Sequence, residues 1–135
     1  MFGKRIGGAF ALGLMLCIAC VHGTLAQEDF PFDRDLLLDA RPMKGSKRLP
    51  SLEVEASGAA TIELWCNGVQ ARIVVNAEAV TISPGEKTDR QCSPERAQAD
   101  DQLLEALAQV ARWRWDGENL ILIGAKELRF RLQTN

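Results

Sequence analysis

Imidazole and phenol groups are almost missing from this sequence. Its one histidine is His22, inside an N-terminal apolar stretch, and tyrosine does not occur. Serine and cysteine hydrolase triads, histidine-ligated zinc and HExxH metalloproteases all need an imidazole, which residues 27–135 cannot supply. A glycine-rich phosphate loop is missing as well. Gly85-Glu86-Lys87-Thr88 has the lysine and threonine without the glycine framework that would precede them. The long apolar run, Ile6 to Val21, is about 16 residues, short of the roughly 20 a spanning helix requires.

That run follows Lys4 and Arg5, interleaves small residues such as Gly7, Gly8 and Ala9, and ends in Thr24-Leu25-Ala26. This is the layout of a cleavable export signal, so residues 1–26 are expected to be removed, leaving a periplasmic or secreted chain that begins at Gln27. A transmembrane anchor is the plainer alternative. Lipidation at Cys20 is a second one, since Ala19 precedes it as lipid-modified cysteines require, although Cys17 stands where such signals usually carry leucine. Membrane association is expected only if Cys20 is lipidated. Removing the signal takes two of the sixteen Lys and Arg and none of the eighteen Asp and Glu, so the mature chain carries a net charge near −4. An acidic surface opposes nucleic-acid binding, which requires cations to displace counterions from phosphates.

Two cysteines survive cleavage, Cys66 and Cys92. An even count in a small exported domain reads as a disulfide, with two buried free thiols as the alternative. Closing that loop contributes about 3 kcal/mol in the chain-entropy model. Two sulfurs without histidine leave half a tetrahedral shell unfilled, so neither a metal nor another cofactor is expected.

Residues 27–35 read as a flexible leader interrupted by Pro31. Beyond it, Leu36–Ala40, Leu52–Glu55, Thr61–Cys66, Val69–Val75 and Val80–Ser83 read as strands, several alternating apolar and polar at period two. Asn67-Gly68 is expected to make a two-residue type I′ hairpin turn. Ser93 and Pro94 begin a helix as N-cap and first helical residue. Leu103, Leu104, Leu107 and Val110 give that helix one apolar stripe, with Asp100, Asp101 and Glu105 on the wet side and an end near Arg112. Trp113-Arg114-Trp115, Leu120–Ile123 and Leu128–Leu132 complete a meander. Many strands, one helix, then more strands argue for an α+β fold: a curved antiparallel β-sheet, a partial barrel, packed on a single α-helix.

Residues Leu64-Trp65-Cys66-Asn67, Val80-Thr81-Ile82, Gln91-Cys92, the Leu-rich helix, Val110-x-x-Trp113, Gly117-x-x-Leu120-x-Leu122 and Leu128-x-Phe130 stand in an order that resembles the META domain (HslJ-like, DUF306) family. The resemblance spans Leu36 to Leu132 and places the domain at residues 36–135. It implies a small antiparallel sheet on one helix, in cell-envelope proteins linked to heat shock or drug tolerance, and it supplies no catalytic residues. The family often has glycine before its Cys-Asn pair. Trp65 stands there in this chain, so a surface shared with the family at that spot does not follow.

Several residues are candidates for a binding surface. Trp65 faces away from Ile62, Leu64 and Cys66 and is either exposed at an edge, where it would line a binding surface, or covered by the leader or the 41–50 loop. Trp113 and Trp115 share a side of one strand and read as core. Arg129 and Arg131, with Arg114 nearby, form a basic stripe that could hold an anionic partner, against the ordinary role of solubilising a strand. Lys44, Lys47 and Arg48 add cations to that patch. The acidic residues Asp100, Asp101 and Glu105 would serve glycosidase-like chemistry only if two of them faced each other across a cleft. The reading is therefore a non-enzymatic, stress-related envelope protein that binds an unknown protein or small apolar ligand. The alternatives are a periplasmic protein inhibitor and a carboxylate-dependent enzyme.

Overall fold

The computed structural model describes residues 29–134, together with the isolated Gly3. The expected export signal and cleavage site, with Cys20 and His22, lie outside the described residues. Eight strands follow in order: β1 (Asp35–Leu38), β2 (Ser51–Val54), β3 (Ala59–Glu63), β4 (Gly68–Asn76), β5 (Ala79–Lys87), β6 (Arg112–Asp116), β7 (Asn119–Ile123) and β8 (Glu127–Leu132). One helix, α1 (Pro94–Ala108), lies between β5 and β6. Every strand pairs antiparallel with its sequence neighbour, and β1 also pairs with β8 through Leu36 opposite Leu132 and Leu38 opposite Phe130. The expected partial barrel is thus a closed one. Closure removes both sheet edges, whose unpaired N–H and C=O groups would otherwise face solvent.

Period-two alternation decides which side chains fill the interior. Leu36, Leu52, Val54, Ile62, Ile73, Ile82, Leu120, Leu122 and Phe130 are buried in one cluster. On β7 the opposite face is apolar too: Ile121 is 1% exposed, flanked in register by Arg114 of β6 and Arg129 of β8. β5 runs longer than the expected Val80–Ser83, continuing through Pro84 to Lys87. A register shift between Val69 and Ala71 on β4 accommodates the proline, which cannot donate to a regular ladder.

The barrel has one weak seam, where β5 and β6 meet through the single pair Ala79 and Arg112. Helix α1 packs along β5 there and sends Leu103 and Leu107 into the core. It starts as read from sequence, with Ser93 Oγ accepting from Arg96 N at 3.4 Å and Pro94 at the first position. It stops at Ala108, earlier than expected, because Val110 and Ala111 must turn back into the sheet, where Ala111 O accepts from Val80 N at 3.0 Å. Gly124, in the β7–β8 turn, allows that turn to reach the helix end: a Cβ there would lie 2.5 Å from Gln109 O.

Residues 29–34 do not form the loose leader expected of them. Phe30 is buried, its ring meets Trp113 edge-on at 5.3 Å, and Asp33 N donates to Val54 O at 2.7 Å. Among the described residues no helix is long and apolar enough to cross a membrane.

Candidate functional site

The loops β1–β2, β3–β4 and β7–β8 and the β5–α1 connection gather at one end of the barrel, as an up-and-down meander dictates. The β3–β4 connection is the most heavily braced of them. Glu63 pairs with Gly68, and Leu64 N donates to Asn67 O at 2.7 Å, so four residues make the turn. Neither Asn67 nor Gly68 takes a positive φ, so the expected type I′ turn is not formed.

Asn67 is drawn inward instead. Its side-chain Oδ1 accepts from Thr88 Oγ1 at 2.9 Å and from Arg90 N at 2.8 Å. Its Nδ2 donates to Asp100 Oδ2 at 3.2 Å. Asp100, from the middle of α1, is 0% exposed, and each of its oxygens accepts a backbone N–H from the turn: Cys66 N to Oδ1 at 3.0 Å and Asn67 N to Oδ2 at 2.8 Å. A buried carboxylate is tolerated only when so satisfied, and these charge-assisted bonds are stronger than neutral ones. The Cys66–Cys92 disulfide ties the same turn to the residue before the helix cap. The two sulfurs and an Asp100 oxygen lie within 4.8 Å of one another, but each sulfur is bonded to the other, so this cluster is a clamp and not a metal centre.

Outside the clamp, Arg90 Nη1 donates to Cys66 O at 3.1 Å and pairs with Glu63, which also pairs with Arg48 of the β1–β2 loop. Arg96 of α1 donates to Gly45 O of that loop at 3.0 Å. The β1–β2 loop is therefore tied at two points. Between it, the helix and the β7–β8 turn lies a groove of about 430 Å³. Its apolar lining includes Trp65, Met43, Leu103 and Leu128. Its polar groups are Arg41, Gln102 and Lys126. The volume falls in the range of small-molecule sites, roughly 300–1,000 Å³.

The META domain family model matches residues 34–135. The chain belongs to the META domain family. No curated protein matches its sequence. Three solved structures share the fold. One is an NMR structure of a protein from Burkholderia xenovorans, 16% identical, covering 77% of this chain and 84% of its own, with a TM-score of 0.64. A second NMR structure is 18% identical and covers 74% of this chain and 89% of its own, with a TM-score of 0.59. The third is a crystal structure of a DUF4847 family protein from Bacteroides vulgatus, 15% identical, covering 61% and 57%, with a TM-score of 0.50.

Within this META domain the candidate residues separate. Trp65 lines the groove, whereas Arg114, Arg129 and Arg131 do not. Arg129 pairs with Asp116 at 2.9 Å, and Arg114 approaches Glu127 at 3.8 Å. Arg131 is exposed on β8. Arg48 is engaged by Glu63. Trp113 is buried, and Trp115 packs against the core.

Sequence reasoning placed Asp100 on the wet face of the helix, and the structure buries it. The signal was present: Asp100, Leu103 and Leu107 are spaced i, i+3, i+7, which is one helical face. Met43, Arg41 and Lys126 carried no comparable signal, because a groove made by two loops and a helix has no sequence period.

Proposed function

We propose that this META domain is a non-enzymatic binding module of the cell envelope, exported by its N-terminal signal, and that it holds an apolar ligand in the groove beside Trp65. The observation that carries the reading is the construction of that groove. A large indole lines it from a turn held by a disulfide, a buried carboxylate and a buried amide, so the lining is set before any ligand arrives. Pre-organisation of this kind lowers the entropy lost on binding. The link to heat shock or drug tolerance is part of the same proposal and comes from the family resemblance.

At this groove the lining supports binding over two-carboxylate chemistry. No carboxylate lines the groove among the described residues, and both oxygens of Asp100 are occupied by N–H donors behind the turn. A paired acid and base facing a common cavity, as glycosidase-type hydrolysis needs, does not arise from that arrangement.

The test is an NMR titration of the oxidised mature domain with 1-octanol as an apolar probe. Saturable shifts are expected at the Trp65 indole N–H, Leu103 and Leu128, and Trp65→Ala should weaken binding. Shifts spread evenly over the surface would overturn the assignment of the site. Export is tested separately by the N-terminus of the secreted chain. Gln27 is expected there, and a lipid-modified Cys20 would replace the soluble form with an anchored one.

A further inference from the structure

We infer that the groove selects an anionic amphiphile, a small free molecule with an apolar body and one acidic head such as a carboxylate. The inference rests on the groove being the binding site and adds the chemistry of its occupant.

Three observations converge on it. The first is the charge of the lining: Arg41 and Lys126 contribute to it and no Asp or Glu does. The second is that both cations are unspent. Among the described residues Arg41 and Lys126 enter no ion pair, while neighbouring Arg48, Lys87 and Arg90 each pair with a carboxylate and Arg96 binds a backbone carbonyl. Other described cations, Arg34, Lys44, Lys47, Arg72, Arg112 and Arg131, also lie outside ion pairs; what distinguishes Arg41 and Lys126 is that both line one groove without a carboxylate.

The third is the indole N–H of Trp65. Trp113 Nε1 donates to Ala77 O at 2.7 Å and Trp115 Nε1 donates to Asp29 O at 3.2 Å. Trp65 Nε1 has no protein acceptor among the described residues, although its ring is half-buried against the core. That N–H is not an orphaned buried donor and stays accessible to a ligand. With Gln102 in the same lining, the groove offers donors and positive charge together with the apolar side chains of Leu103, Leu128 and Met43. An acidic head would accept from the donors while its body covers those side chains. A neutral body would leave the cations without a partner, and a cationic head would be repelled by them.

The test compares three probes with one eight-carbon chain and different heads: octanoate, 1-octanol and octyltrimethylammonium, each below its aggregation limit. Calorimetry and the Trp65 indole resonance report binding to the oxidised mature domain. Octanoate is expected to bind about tenfold more tightly than octanol, the effect of one charge-assisted contact. Octyltrimethylammonium is expected to bind more weakly than either. Lys126→Glu should abolish the preference for octanoate, because it replaces a cation of the lining with a carboxylate. Arg41→Gln should reduce the preference.

Equal affinities for octanoate and octanol at the groove would overturn the charge selectivity and leave the groove standing as an apolar site. Failure of all three probes to perturb Trp65 would overturn both readings. Tightest binding by the cationic probe would also refute the inference.

Discussion

At the end of the barrel formed by the β2–β3, β4–β5 and β6–β7 turns, aromatic rings shut the interior. Phe30 lies 5.0 Å from Phe32 and 5.3 Å from Trp113, and the indole N–H groups of Trp113 and Trp115 both end on backbone carbonyls. At the opposite end the chain is held by polar groups: a buried aspartate, a buried asparagine, a threonine hydroxyl and a disulfide. Rings packed at steep angles into a plug satisfy their own polar edges. Polar clamping fixes the backbone of the turn and leaves its large side chain, Trp65, free to line a groove. The same residue type therefore serves as filler at one end and as surface at the other.

Substitutions can break each end separately. Phe30→Ala is expected to be the most damaging, at about 3–5 kcal/mol, since it empties a ring site under Trp113. Urea denaturation measures it, and a loss below about 1 kcal/mol would show that residues 29–34 merely rest on the barrel. Asp100→Ala should cost about 3 kcal/mol, because it leaves the buried N–H groups of Cys66 and Asn67 without acceptors, each worth roughly 1–3 kcal/mol. Asp100→Asn retains one acceptor oxygen and should cost less. Equal losses for the two variants would show that the packing of this side chain, and not its acceptors, holds the turn.

Removing the disulfide by Cys66→Ser with Cys92→Ser is expected to cost about 2–3 kcal/mol. This compares the covalent and hydrogen-bonded halves of one clamp. If Asp100→Ala in the serine background costs less than in the oxidised protein, the two halves depend on each other. The smallest effect is expected for Arg129→Ala, under about 0.5 kcal/mol, because its pair with Asp116 is solvent-exposed. A larger loss would point instead to the cover that Arg129 gives the outward-facing Ile121.

Much of this organisation could be read without coordinates, for reasons that are local. Ser93-Pro94 announces a helix start by its own chemistry, and the alternation in Leu52–Val54 and Leu128–Leu132 shows which face is inward. Cys66 and Cys92 are the two cysteines that lie beyond the expected export signal. What escaped depends on distant partners. Asn67-Gly68 has the composition of a tight hairpin turn, yet by not forming one Asn67 gains four partners for its side chain, Thr88, Arg90, Cys92 and Asp100. Closure of the barrel rests on β1 meeting β8 across almost the whole domain, and nothing in either strand declares the other. Pro84 reads as the end of a strand unless the bulge opposite it is known. The groove is the extreme case: its lining comes from two loops, a turn and a helix, and only Trp65 stood out beforehand by having no comfortable place on its strand.

A cylinder of staves yields first where two staves touch at a point, and in this one that is the join of β5 and β6. The helix laid over the join is held at its far end by the chain running directly into β6. At its near end a covalent bond, one residue before the cap, fastens it to a turn on a different part of the wall. Prying the join apart therefore means either severing sulfur from sulfur or dragging the β3–β4 hairpin along, so an oxidised molecule resists opening at the very place where its hydrogen-bonded wall is thinnest.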